Sequence, residues 1–194
     1  MIRFNFFETS IYRFNRRFWN PATGHLFDVV DSESGDDPAC RPNQVFAISL
    51  DYPVLSQDRW PSVLDVIVDK LLTPHGLRTL SPDHPDFKPT YHGDLRTRDA
   101  AYHQGTAWPW LIGSFVDAWL RAYPHDRTRV RQWLTAFPEA LRGSGLGTIS
   151  EIYDAVSPQR PAGCISQAWS VAEVLRAWIA TTSHASGQHD DAVR

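Results

Sequence analysis

The chain of 194 residues has the size of one domain, or of one piece of a larger one. With 42% hydrophobic and 21% charged residues it can bury a core, which excludes wholesale disorder. A net charge of −3 leaves no basic excess, which excludes nucleic acid and anionic membrane surfaces as electrostatic partners.

Helical periodicity dominates, and almost no period-2 alternation supports a sheet. Residues 9–19 and 43–50 are the weaker helix candidates. Over residues 57–72, Trp60, Val63, Leu64, Ile67, Val68, Leu71 and Leu72 recur at steps of 3 and 4. They lay one stripe along a helix, with Ser56 as N-cap and Pro74 and Gly76 as the stop. Residues 106–123 carry Trp108, Leu111, Ile112, Phe115 and Trp119, widened by Trp110, Val116 and Leu120, which suits a helix covered on most sides. Residues 126–142 carry Val130, Trp133, Leu134, Phe137 and Leu141, with Pro138 expected to kink or shorten the helix and Gly143 placed for a C′ cap. Residues 165–180 place Ile165, Ala168, Trp169, Ala172 and Leu175 on one face, with Val171, Val174 and Trp178 beside it. The expectation is an all-α chain of about six helices, with residues 183–194 as a disordered tail.

Three long connections separate these helices, at residues 20–42, 73–105 and 143–164, and each carries carboxylates. Loops this long in a compact domain are usually functional. The spacing therefore predicts a helical scaffold with polar, aromatic-bearing loops gathered at helix ends. The 8 Trp, 6 Tyr and 10 Phe suit a sugar-binding cleft and an aromatic core almost equally. Cys40 and Cys164 form no metal spacing and no disulfide framework, which favours a reducing compartment. The start lacks an apolar signal core, and no run reaches the roughly 18 apolar residues of a membrane span. A cytoplasmic protein without a membrane partner is expected.

Metal chemistry finds no support. The eight histidines form no HExxH or other helical ligand pair, and His184 and His189 fall in the tail. No metal and no cofactor is expected. Gly143-Ser144-Gly145-Leu146-Gly147 lacks the preceding strand and following Gly-Lys of a phosphate loop, and Gly113-Ser114 makes no nucleophile elbow. The carboxylates offer more. Glu151 and Asp154 stand among apolar and aromatic neighbours, where a carboxylate can be tuned for general acid or base work or can simply cap a helix. Asp28 and Asp31 carry the same two readings.

Five strings then occur in one order: Phe27-Asp28-Val29-Val30-Asp31; Arg41-Pro42-Asn43-Gln44; Tyr102-His103-Gln104-Gly105-Thr106-Ala107-Trp108-Pro109-Trp110; Ser150-Glu151-Ile152-Tyr153-Asp154; and Gly163-Cys164-Ile165-Ser166-Gln167-Ala168-Trp169-Ser170. Together, across residues 18–178, they resemble the C-terminal part of glycogen debranching enzymes, in the amylo-α-1,6-glucosidase domain. Trp-Pro-Trp after a glycine recurs across several sugar hydrolases with toroidal helical domains, so the ordered set, not any one string, carries the resemblance.

The resemblance implies a partial (α/α)6 toroid over residues 1–182 with its active site where long loops meet at one end. It implies inverting hydrolysis of the α-1,6-linked glucose at trimmed glycogen branch points, with an α-glucan such as glycogen or limit dextrin as partner. One carboxylic acid protonates the leaving oxygen while a carboxylate activates water on the opposite face. Glu151 matches the base, and Asp154 a nearby acid that orients sugar or base. Asp31, Arg41, Asn43, Tyr102, His103, Gln104 and Trp108 match positions expected to bind substrate. Trp and Tyr offer apolar faces to sugar C–H groups, while Arg, Asn, Gln and His bind hydroxyls.

Two departures shape the expectation. The family's general acid stands in a Thr-Trp-Met-Asp-type motif upstream of the matching segment, and no acid here has that context. Ala155-Val156 also replaces the usual Gly-acid pair after Asp154. The chain is therefore expected to be half of a toroid, inactive alone, that self-associates or pairs with a missing N-terminal half. The alternative is a non-catalytic half-toroid that binds α-glucan or pairs with another subunit.

Overall fold

The computed structural model describes residues 6–143 and 146–182. The expected tail at 183–194 and part of the glycine-rich connection lie outside the described residues. Helix α1 (Phe6–Phe18) leads into two small hairpins, β1 (Trp19–Asn20) with β2 (His25–Leu26) and β3 (Val29–Ser32) with β4 (Gly35–Asp37). A 3-10 turn at Pro42–Val45 runs into the short helix α2 (Phe46–Ser49). A second turn at Gln57–Arg59 opens α3 (Trp60–Lys70), followed by β5 (Leu72–Thr73) and β6 (Gly76–Arg78). The remainder is α4 (Leu95–Ala101), β7 (Ala107–Trp108), α5 (Leu111–Ala122), α6 (Arg127–Trp133), α7 (Phe137–Ala140), β8 (Ile152–Tyr153), β9 (Pro161–Ala162) and α8 (Ala168–Thr182).

The chain is mostly helical, and the small sheets correct the all-α expectation. Strands β5 to β9 form one antiparallel sheet in chain order, with Leu77 opposite Trp108 and Ala107 opposite Tyr153. Each of its strands spans two or three residues. Period-2 alternation needs four or more residues to be seen, so the sequence carried no signal for it.

The core forms where the helical stripes meet. Val63, Leu64 and Ile67 of α3 and Ile112, Phe115 and Val116 of α5 are fully buried, joined by Ile48 of α2. Truncating a ring such as Phe115 to alanine would cost about 3–5 kcal/mol by transfer and cavity terms together. Helix α5 starts later than its periodicity suggests, because Ala107 and Trp108 are spent on β7 and Pro109 follows. The expected helix at 126–142 is divided: α6 ends at Trp133, and α7 restarts at Phe137 with Pro138 in its first turn, where its missing N–H costs nothing. Helix α4 lies inside the expected loop at 73–105. Asp94 caps it by accepting the Thr97 N–H at 2.8 Å, but only Ala101 is buried, so there was no apolar stripe to read.

The sheet places the candidate site. Pairing of β7 with β8 sets the segment after α4 beside Glu151, and the β8–β9 hairpin continues as a bond from the Glu151 N–H to the Cys164 carbonyl at 2.9 Å. Gly105 makes the turn into β7 with φ of +147°, and a Cβ there would stand 2.3 Å from the Lys88 carbonyl oxygen. A side chain at this position would push the Tyr102–Gln104 turn off its seat.

Candidate functional site

A cleft of about 700 Å³ opens between the ends of α4, α5 and α8 and the β8–β9 hairpin. Seven expected site residues line it: Arg41, Asn43, Tyr102, His103, Gln104, Trp108 and Glu151. The five-string order of the sequence thus converges on one concavity.

Arg41 is the hub of its polar wall. Its guanidinium donates to the Thr79 and His103 carbonyls at 3.0 and 2.8 Å and to Gln104 Oε1 at 2.8 Å. It also pairs through Nε with Asp28 Oδ2 at 3.3 Å. Asn43 donates to the other Asp28 oxygen at 3.1 Å. This lattice fixes side chains that offer both donors and acceptors to the cleft, the pattern that hydroxyl-rich ligands require.

The opposite wall is aromatic. His103 stacks on Trp108 with ring centres 5.3 Å apart, and Tyr102 meets Trp108 edge-on at 4.9 Å. Trp110 stacks on Trp169 at 5.5 Å and continues the wall outward. The buried Trp108 ring is anchored by its indole N–H, which bonds the Tyr102 carbonyl at 3.2 Å and Thr106 Oγ1 at 3.1 Å.

Glu151 lines the same cleft, beside the aromatic wall. Its Oε1 accepts from the Tyr102 hydroxyl at 2.7 Å and from Gln167 Nε2 at 3.2 Å, while Oε2 accepts the Cys164 N–H at 2.9 Å. Burial, then the bond to Glu151, pushes the Tyr102 phenol well above its ordinary value, so this hydroxyl remains a donor at any neutral pH. A carboxylate held from three directions loses little orientational entropy when it acts.

Two expected residues stand elsewhere. Asp31 lies outside the cleft on the β3–β4 hairpin, exposed and paired with Arg17 at 2.6 Å. Three residues earlier, Asp28 faces the cleft instead. The resemblance points to Asp31, whereas the structure puts Asp28, just before β3, at the cleft. Asp154 is buried behind the cleft, where Oδ1 accepts the Tyr91 N–H at 2.7 Å. Asp37, Trp110, Trp169 and Gln167 were not expected as site residues, though the last three lie within the quoted strings.

Among the described residues no group of three or more His, Cys, Asp and Glu side chains could hold a metal ion. Cys40 is buried, which pushes its thiol up to about 11, and both cysteines are unbridged. Among the same residues no helix is long and apolar enough to cross a membrane.

Comparisons with known proteins bear on this geometry. The chain's fold is similar to part of neutral trehalase Nth1 from Saccharomyces cerevisiae, with a TM-score of 0.63 and 14% identity over 88% of this chain and 29% of that one. In sequence it is 30% identical over 96 residues to a glycogen debranching enzyme of Saccharomyces cerevisiae, a stretch of 46% of this chain and 6% of that protein. The chain therefore spans less than a third of either relative. The family model described as amylo-alpha-1,6-glucosidase matches residues 3–176. The chain belongs to the amylo-alpha-1,6-glucosidase family.

Proposed function

We propose that this chain is part of a toroidal glycoside hydrolase domain in which Glu151 acts as general base in the inverting hydrolysis of α-1,6-linked glucose at glycogen or limit-dextrin branch points. The observation that carries this reading is that Glu151 shares one cleft with a polar wall and an aromatic wall. Trp108 and Tyr102 offer faces to the sugar ring, and Arg41, Asn43, His103 and Gln104 offer hydrogen bonds to its hydroxyls. Asp28 joins this set in the place expected of Asp31, and Asp154 supports the cleft from behind. Residues 1–182 belong to this unit, in a cytoplasmic setting suited to glycogen.

The chemistry needs two groups. The carboxylate removes a proton from water as the water oxygen bonds to the anomeric carbon, and an acid protonates the departing sugar oxygen. No carboxyl group of the chain stands in the family's acid motif. Asp28 is held through both oxygens by Arg41 and Asn43, and Asp37 accepts the Ala39 N–H through one of its two. Loss of general acid catalysis costs about 10²- to 10⁴-fold, so the isolated chain releases glucose from limit dextrin at most slowly.

The test uses α-glucosyl fluoride, whose leaving group departs without a proton. The chain is expected to hydrolyse it to β-glucose, to lose that activity in Glu151→Gln, and to leave limit dextrin almost untouched. Release of α-glucose, or full activity in Glu151→Gln, would overturn the assignment. Binding of glucose and short α-glucans without fluoride hydrolysis would favour a non-catalytic glucan-binding or subunit-pairing module.

A further inference from the structure

Glu151 has two carboxylate oxygens, each able to accept two hydrogen bonds. Oε1 is filled, by the Tyr102 hydroxyl and Gln167 Nε2. Oε2 carries one bond, from the Cys164 N–H. We infer that these three donors leave one lone pair of Oε2 as the proton acceptor for the attacking water, and that Gln167, acting only through Glu151, is the positioning residue that enforces this choice. The inference rests on Glu151 being the base.

Gln167 is well placed to be rigid. Its own N–H donates to the Ile149 carbonyl at 3.0 Å, and its carbonyl accepts the Val171 N–H at 3.2 Å in the first turn of α8. It therefore ties the helix start to the strand segment that carries Glu151. Gly163 completes the arrangement. Its φ of +69° brings the backbone so close that a Cβ would stand 2.3 Å from Oε2. Only a residue without a side chain leaves that oxygen in place.

In the step this arrangement serves, one proton of the water passes to the free lobe of Oε2 and the water oxygen bonds to the anomeric carbon. The bond from that carbon to the leaving group breaks, and its electron pair departs with the leaving group. Holding Oε1 with two donors prevents the carboxylate from rotating to present a different lobe. A displacement of this order, about 1 Å, can cost on the order of 100-fold in rate.

The experiment uses the whole chain and α-glucosyl fluoride. Gln167→Met, which keeps the length and removes the donor, is expected to lower kcat about 10- to 100-fold with KM nearly unchanged. Azide, which attacks without a base, is expected to restore turnover in Glu151→Ala and to give β-glucosyl azide. Adding Gln167→Met to Glu151→Ala should leave that azide reaction unchanged, because no carboxylate remains to position. Unchanged kcat in Gln167→Met overturns the inference, as does an equal loss in the azide reaction, which would mean that Gln167 touches substrate or holds the fold. Thermal melting of each variant separates a folding defect from both. If the unaltered chain fails to hydrolyse the fluoride and azide rescues nothing, the base assignment itself falls and this inference with it. That pattern is distinct from a Gln167→Met variant that matches an active chain.

Discussion

The Tyr102 hydroxyl and Glu151 Oε1 are 2.7 Å apart, a contact that ties the turn after α4 to the mouth of the β8–β9 hairpin. Only a protonated phenol can donate to a carboxylate, so the contact has a direction in pH. Burial comes first among the causes that raise Tyr102, and the same holds for Tyr123 and Tyr153. The native state therefore keeps these protons at a pH where the unfolded chain, titrating near 10, releases them. Their contribution to stability is fully present below about pH 10 and is lost as the pH climbs through the raised native values. Melting temperatures recorded from about pH 8 to about pH 12 should fall on the alkaline side, and less steeply in Tyr102→Phe. A flat profile over that span would contradict the assignment.

How much of this was legible in advance follows from element length. The stripes that became α3, α5 and α8 each run over eleven or more residues, long enough for periodicity to accumulate. The strands that bring Trp108 beside Glu151 span two residues each, and α4 buries one alanine, so neither leaves a pattern. The site was legible through ordered strings rather than physics of single residues. In the first string the resemblance pointed to Asp31, and only the placement of the hairpin shows Asp28 at the cleft instead.

That choice gives a direct test. Asp28 stands in the cleft between Arg41 and Asn43, whereas Asp31 sits on the surface with Arg17. Calorimetric titration with glucose should show Asp28→Asn weakening binding by about tenfold or more, as expected when one hydrogen bond to a charged group is lost. Asp31→Asn should bind as the unaltered chain does. The reverse order would return the glucose-binding role to Asp31.

Asp154 is expected to matter for stability rather than for sugar. Removing its carboxylate would strand the Tyr91 N–H, which packs with its ring 5.8 Å from Tyr102. Urea unfolding should find Asp154→Ala destabilised by about 1–3 kcal/mol, the cost of an unsatisfied buried donor. Asp154→Asn retains an acceptor oxygen and should recover most of that loss. If Asp154→Asn and Asp154→Ala are equally destabilised, the charge rather than the hydrogen bond is what the fold uses.

Helix α8 turns the expected apolar stripe outward. Trp169, Leu175 and Ile179 are 48%, 56% and 53% exposed, with Ala168 and Ala172 on the same side. The face that packs on the core is the neighbouring one, through Val174, Ala177 and Ser170. A helix apolar on two sides has a second surface to cover, either against a further part of the toroid or against another copy of the chain. A patch of about 400 Å² would contribute roughly 10 kcal/mol when buried at about 25 cal/mol per Å². Two such patches would contribute about 20 kcal/mol against an association cost of about 4–15 kcal/mol, which is enough to drive self-association. Light scattering across a dilution series should therefore show mass rising with concentration. The double substitution Leu175→Lys with Ile179→Lys should abolish that rise without lowering the melting temperature, since both side chains already face solvent. Trp169 is left intact because it also lines the cleft. A chain that remains monomeric at every concentration would show that α8 tolerates this face uncovered.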